Sequence, residues 1–246
     1  MKNLLIALNF LTILPFKIHT GIKSEDYAGS LIYFPVAGMI IGAVLSIVSL
    51  LYLFLPAAVV AVFVLIVSVF ITGALHLDGF SDTCDAFYGQ KPKEEILKIM
   101  RDPRCGAMGA IGVTLLLLLK FSLLISIPQR LLWRSLVVMC CFSRWAQTIC
   151  CLMPYSRSEG KAEAFIKYAR KKDIIIAGLF TILISFALLG FKGIGVFFVS
   201  IIPVLLFIRY SRIKIGGMTG DTIGAVNEIA EVSVLFSILI ISLIWI

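Results

Sequence analysis

Charge is what this sequence has least of: 15% of its 246 residues are Asp, Glu, Lys or Arg, against 60% hydrophobic residues and a mean hydropathy of +1.05. A soluble domain averages about 25% charged residues, so that class is excluded and the chain reads as a polytopic membrane protein. Histidine is scarce, at two residues. The six cysteines fall as Cys140/Cys141, Cys150/Cys151, Cys84 and Cys105 with no matched CxxC pair, which argues against zinc. Residues 1–246 are expected to form one all-α transmembrane helical bundle with almost no separate soluble domain. At about 20 apolar residues per span, the length allows about seven or eight spans. The net charge of +8 does not imply nucleic acid, because the basic residues lie between apolar runs and not along one face.

The apolar runs cover 4–16, 31–55, 57–75, 106–127, 131–153, 173–190, 193–208 and 232–246. The first is short and interrupted by Asn9 and Thr12; interfacial, re-entrant and spanning placements stay open for it. It starts like a signal peptide but has no small-residue cleavage site, so it is expected to stay in the chain. Pro56, Pro128 and Gly190 to Gly193 divide the later runs into helical hairpins. The polar segments 17–30, 76–105, 154–172 and 209–231 hold most of the 22 Lys and Arg, whereas the opposite connections hold Arg130 and Lys192. The positive-inside rule therefore places all four segments in the cytoplasm of an inner-membrane protein. Within the second, Pro92 followed by Glu94 and Lys98 at four-residue spacing predicts a short amphipathic helix.

Carboxylates are few, which makes their clustering informative. HLDGFSDTCD, His76 to Asp85, follows about twenty apolar residues and spaces Asp78, Asp82 and Asp85 by four and three. On a helix these three fall within an arc of roughly 60°. Like charges on one face repel unless a cation lies between them, and oxygen ligands of this kind suit Mg²⁺. A plain solvated helix start is the competing explanation, since Asp favours caps and first turns. Asp221, Glu228 and Glu231 form another acidic face after the turn Gly216, Gly217, Gly220. Two acidic helices meeting at one membrane face, with the active site on the cytoplasmic side, are what phosphoryl transfer through Mg²⁺ requires. Arg101, Arg104 and Arg157 are candidate phosphate ligands, with Gly220 allowing close backbone approach. Lys161, Lys167, Arg170, Lys171 and Lys172 read better as lipid anchors. Arg144 lies inside an apolar run and is expected to turn inward to a partner or cavity; Lys120 either snorkels or pairs with an acid. His76 is either a ligand or base, or a satisfied histidine at a helix end.

Taken as an ordered series, these motifs resemble the adenosylcobinamide-GDP ribazoletransferase (cobalamin synthase) family. The resemblance rests on LNFLTILPF near the start, YFPVAGMIIG from Tyr33, HLDGFSDTCD, RDPRCGAMG from Arg101, SRW from Ser143, PYSRSEG from Pro154 and TGDTIGAVNEIAE from Thr219. It implies an integral membrane enzyme that uses Mg²⁺ to join adenosylcobinamide-GDP to alpha-ribazole or its 5'-phosphate, releasing GMP. The family's acidic motif falls on His76, Asp78, Asp82 and Asp85, and its TGD motif on Thr219, Gly220 and Asp221. On that basis Asp78, Asp82, Asp85 and Asp221 are the expected metal ligands, Asp82 and His76 the expected catalytic groups, and Arg101, Arg104, Arg144 and Arg157 the expected substrate contacts. The expected partners are corrinoid nucleotide and ribazole substrates, membrane lipid and a second copy of the chain. Ala86 and Lys161–Ala162 depart from the family pattern in loop positions only. Two alternatives remain: a CDP-alcohol type phosphotransferase, whose DGxxAR pattern is absent after Asp78, and an ion-coupled transporter, whose acids belong near the bilayer midplane.

Overall fold

A computed structural model describes residues 1–18, 21–157, 159–160 and 162–244. Lys161, read above as a lipid anchor, and Ser158 of the PYSRSEG motif lie outside the described residues, as do residues 245–246 of the last apolar run. The helices are α1 (Lys2–Leu11), α2 (Ser24–Ser30), α3 (Phe34–Ser49), α4 (Ala57–Thr72), α5 (Leu75–Phe87), α6 (Lys93–Ile99), α7 (Ala107–Ser126), α8 (Gln129–Cys150), α9 (Glu163–Lys167), α10 (Lys171–Leu189), α11 (Phe191–Ile215) and α12 (Gly220–Ile244). Proline starts several of them as its fixed φ dictates: Pro56, Pro92 and Pro128 sit immediately before α4, α6 and α8. The expected short helix after Pro92 is α6.

Five helical segments are long and apolar enough to cross a bilayer, or six if the bent pair α4–α5 counts as one. The all-α membrane bundle is therefore present, but the figure of seven or eight spans is not. Three features account for the difference. The first apolar run yields only the ten residues of α1. The run after Pro56 breaks at Gly73 and Ala74, both in the left-handed region at φ 60° and 57°, and α5 leaves α4 at 92°. The third is α8, which is not among the five; the last run lies within α12, which begins at Gly220 and carries the acidic segment and the apolar segment as one helix. Helix α8 is a special case, buried from Leu132 to Cys150 with few gaps. Since other helices and not lipid surround it, it tolerates Arg144, Gln147 and Thr148 on its buried surface.

Small residues set the close contact of α3 with α8. Gly38 and Gly42, one turn apart on α3, lie against the α8 backbone: a Cβ on Gly38 would come within 2.1 Å of the Cys140 carbonyl oxygen, and one on Gly42 within 2.6 Å of the Val137 Cα. This is the small-xxx-small packing of membrane helices, in which backbone approach replaces the hydrophobic drive that lipid removes. Between α7, α8 and α12 lies a buried ionic network. Lys120 Nζ reaches Glu228 Oε2 at 2.5 Å and Glu231 Oε2 at 2.6 Å, and Arg144 Nη1 pairs with Glu231 Oε1 and donates to Ser143 Oγ at 2.8 Å. The inward partner expected for Arg144, and the acid expected for Lys120, are these two glutamates.

Candidate active site

Helices α5 and α12 cross where neither has a side chain in the way. A Cβ on Gly79 would approach the Asp221 carbonyl oxygen to 2.7 Å, and one on Gly224 the His76 carbonyl oxygen to 3.2 Å. That crossing brings the acidic stretch of α5 beside the start of α12. Thr219 and Thr222 fix the start of α12 reciprocally, Thr222 N donating to Thr219 Oγ1 at 3.2 Å and Thr219 N to Thr222 Oγ1 at 2.8 Å. Just before it, Gly216 ends α11 at φ 81°, and residues 154–156 pair with Met218: Met218 N donates to the Pro154 carbonyl at 2.9 Å, and Ser156 N to the Met218 carbonyl at 2.9 Å. Gly217 allows this pairing, since a Cβ there would meet the Pro154 oxygen at 2.0 Å. The pairing sets Arg157 next to Asp221. Arg157 Nη2 donates to Asp221 Oδ2 at 2.5 Å and to the Met100 carbonyl at 3.2 Å.

These elements enclose a cavity of about 250 Å³. Asp78, Asp221, Arg157, Gly220 and His76 line it on the polar side, and Phe10, Phe34 and Phe165 form an aromatic wall. Phe10 and Phe165 have ring centroids 4.6 Å apart. Helix α1 therefore belongs to the site through Phe10. Tyr155 also borders the cavity, and burial raises its phenol above the usual tyrosine value. At the floor, His76 and Gln147 are buried. Asn227 Nδ2 donates to Glu228 and Glu231, so its Oδ1 must accept, and Gln147 Nε2 donates to it at 2.8 Å. The same Gln147 nitrogen lies 3.4 Å from His76 Nε2, which makes that ring nitrogen the acceptor and places the imidazole proton on Nδ1.

The sequence candidates separate into groups. Asp78 and Asp221 face the cavity; Asp82 is half-buried one turn beyond Asp78 on α5. Asp85 points elsewhere: its Oδ2 accepts from Gly106 N and its Oδ1 from Gly109 N, both at 2.8 Å, so it caps α7. Glu228 and Glu231 lie behind the site in the ionic network, together with Arg144. Arg101 borders a neighbouring cavity, and Arg104 is exposed and bound to Asp102, which it holds down to about 2 through charge-assisted hydrogen bonds. Sequence reading did not single out Gln147, Asn227, Tyr155 or the aromatic wall. The signal for Phe10 and Phe34 lay in LNFLTILPF and YFPVAG, whereas Phe165 belongs to the third polar segment.

Among the described residues, no three His, Cys, Asp or Glu side chains gather closely enough to hold a metal ion alone. Mg²⁺ does not demand such a cage, since it is commonly held by one or two carboxylates with substrate phosphates and water. Two carboxylates lining one cavity, all-oxygen and close to an arginine, fit that donor set.

No solved structure matches this chain. The sequence model described as cobalamin-5-phosphate synthase matches residues 3–239. An adenosylcobinamide-GDP ribazoletransferase of Clostridium novyi is 32% identical over 242 residues, covering 97% of each chain. Enzymes of the same name from Geotalea daltonii and Acinetobacter baumannii are 33% and 34% identical over 238 and 240 residues, each covering 96% of both chains. With family match and relatives covering nearly the whole chain, the chain belongs to the cobalamin-5-phosphate synthase family.

Proposed function

We infer that this chain is an adenosylcobinamide-GDP ribazoletransferase of cobamide biosynthesis, and that its transfer chemistry takes place between α5 and α12. The observation that carries the location is the cavity lined by Asp78, Asp221 and Arg157 together with three phenylalanines. A ribose hydroxyl of alpha-ribazole, or of its 5'-phosphate, attacks the phosphorus bound to the corrinoid arm. The new P–O bond forms as the bond to GMP breaks, and GMP leaves with the bridging oxygen.

Asp78 and Asp221 are the residues that would hold Mg²⁺, with phosphate oxygens completing its shell. When bound, the ion neutralises charge developing on the diphosphate. Arg157 orients Asp221 and presents its guanidinium to the phosphates. Asp82 takes the proton of the attacking hydroxyl. His76 is less suited to that task, because its Nε2 accepts from Gln147 and its ring is buried. The aromatic wall supplies an apolar face for the flat rings of the substrates and excludes water from the reacting phosphate. An ion-coupled transporter is disfavoured, since the two fully buried glutamates are each bound to a cation of the chain itself.

Release of GMP from adenosylcobinamide-GDP by the purified chain, with and without Mg²⁺, tests the reading. Release that depends on both ribazole and Mg²⁺ is expected; release unaffected by chelator would remove the metal from the site. Cytoplasmic orientation follows from the basic polar segments. Cys105 is exposed while Cys140, Cys141, Cys150 and Cys151 are buried, so an impermeant maleimide should label Cys105 in inverted membrane vesicles and not in intact cells.

A further inference from the structure

A second cavity, of about 340 Å³, adjoins Arg157, which also lines the first. Glu94, Leu97, Lys98 and Arg101 of α6 and its C-terminal end border it on one side, and Ser156 and Arg157 on the other. Arg157 lines both cavities. Its Nη2 is committed to Asp221 and Met100, but its Nε is buried and has no hydrogen-bond partner among the described residues. The Ser156 hydroxyl is in the same condition. Two unsatisfied buried donors beside one cavity call for an acceptor, because an unmade buried hydrogen bond costs more than a made one gains. The charge of Arg157 is shared with Asp221, but Lys98 and Arg101 still outnumber the one carboxylate, Glu94, so the acceptor is an anion. The nearby Asp102 does not neutralise Arg101, since it is bound to Arg104.

We propose that this cavity holds the 5'-phosphate of a phosphorylated ribazole acceptor, the phosphate that takes no part in the transfer. The proposal rests on the functional reading above. The two phosphates of the donor share one bridging oxygen next to the reacting bond, so both belong with Asp78 and Asp221 on the catalytic side of Arg157. The remaining phosphate in the reaction is the acceptor's own, held away from the reacting hydroxyl by the ribose. A guanidinium between the two cavities contacts a reacting phosphate on one edge and a spectator phosphate on the other, the multidentate use to which arginine is suited.

The test compares alpha-ribazole 5'-phosphate with alpha-ribazole as acceptors for the purified full chain, by GMP release at saturating donor. The readout is the ratio of their kcat/KM values. In Arg101→Gln that ratio should fall about tenfold, as expected for loss of one charged hydrogen bond, and in Ser156→Ala about threefold. Arg101→Lys should keep part of the preference. Glu94→Gln, which removes the opposing carboxylate, should move the ratio the other way. An unchanged ratio in Arg101→Gln and Ser156→Ala overturns the proposal. So does a rise in the KM for adenosylcobinamide-GDP with the ratio constant, which would give the cavity to a donor phosphate. If the wild-type chain releases no GMP with either acceptor, the functional reading fails, and calorimetric binding of the two ribazoles decides the cavity by itself. Tighter binding of the phosphorylated form, lost in Arg101→Gln, supports the subsite; equal binding in both proteins refutes it.

Discussion

Asp78 and Asp82 on α5 and Glu228 and Glu231 on α12 are two pairs of carboxylates in one small bundle, yet they are neutralised in opposite ways. Glu228 and Glu231 are almost fully buried, and Lys120 and Arg144 supply one positive charge for each. Asp78 is exposed and Asp82 half-buried, and neither has an ion pair among the described residues; Arg157, which lines the cavity with Asp78, is bound to Asp221. An acid whose countercharge is built into the fold has a structural task. An acid left short of positive charge at the edge of a cavity is open to a cation that arrives with the substrate.

Substitutions should separate the two pairs. The largest effect is expected at Asp82: Asp82→Asn should lower kcat by at least about a hundredfold, the scale of a lost general base, while its thermal unfolding in detergent stays that of the wild type. Wild-type turnover in this variant would move the proton transfer elsewhere. Glu231→Gln should do the reverse and act on stability, costing about 3–5 kcal/mol by stranding Arg144 as a buried unpaired charge. Replacing both partners, Arg144→Met with Glu231→Met, should restore most of that loss, and a double variant as unstable as the single one would refute the pairing. Asp85→Ala should cost about 1 kcal/mol of stability as a lost helix cap and leave the Mg²⁺ concentration for half-maximal activity unmoved. A shifted Mg²⁺ requirement would return Asp85 to the metal set. The smallest effect concerns Asp102, an exposed acid that carries its own arginine. Its depressed value near 2, below the ordinary 3.8, means its pairing is complete above 3.8 and is lost as pH falls through about 2. Arg104→Ala should let Asp102 titrate at an ordinary carboxylate pH by NMR, with no measurable change in melting temperature, because the pair is solvent-screened.

How much of this was legible in the sequence follows the range of each interaction. The spacing of Asp78 and Asp82 and the turn before Asp221 are local patterns, and the structure places Asp78 and Asp221 in one cavity. Asp85 shares the same periodicity, but its partners Gly106 and Gly109 lie more than twenty residues away, so spacing could not distinguish a cap from a ligand. Glu228 and Glu231 read as a polar segment because charge beside an apolar run usually marks its end. Their neutralising cations come from α7 and α8, and only the packed bundle shows that the helix continues through them. The structure shows five long apolar segments, or six, because the first run gives only the ten residues of α1, α4 stops at a bend and α8 is not among them. Gln147 and Asn227 gave no signal, since a single buried amide has no pattern.

The buried ionic network also constrains the order in which the protein is made. Lys120 on α7 and Arg144 on α8 are synthesised 87 to 111 residues before the glutamates that neutralise them. A lysine or arginine at the centre of a lone membrane helix costs about 2.5–3.5 kcal/mol on insertion scales. Helices α7 and α8 therefore each carry a charge without its partner until α12 is made. A nascent chain that lacks α12 also lacks Asp221, and so holds Asp78 and Arg157 without the third charged side chain of their cavity.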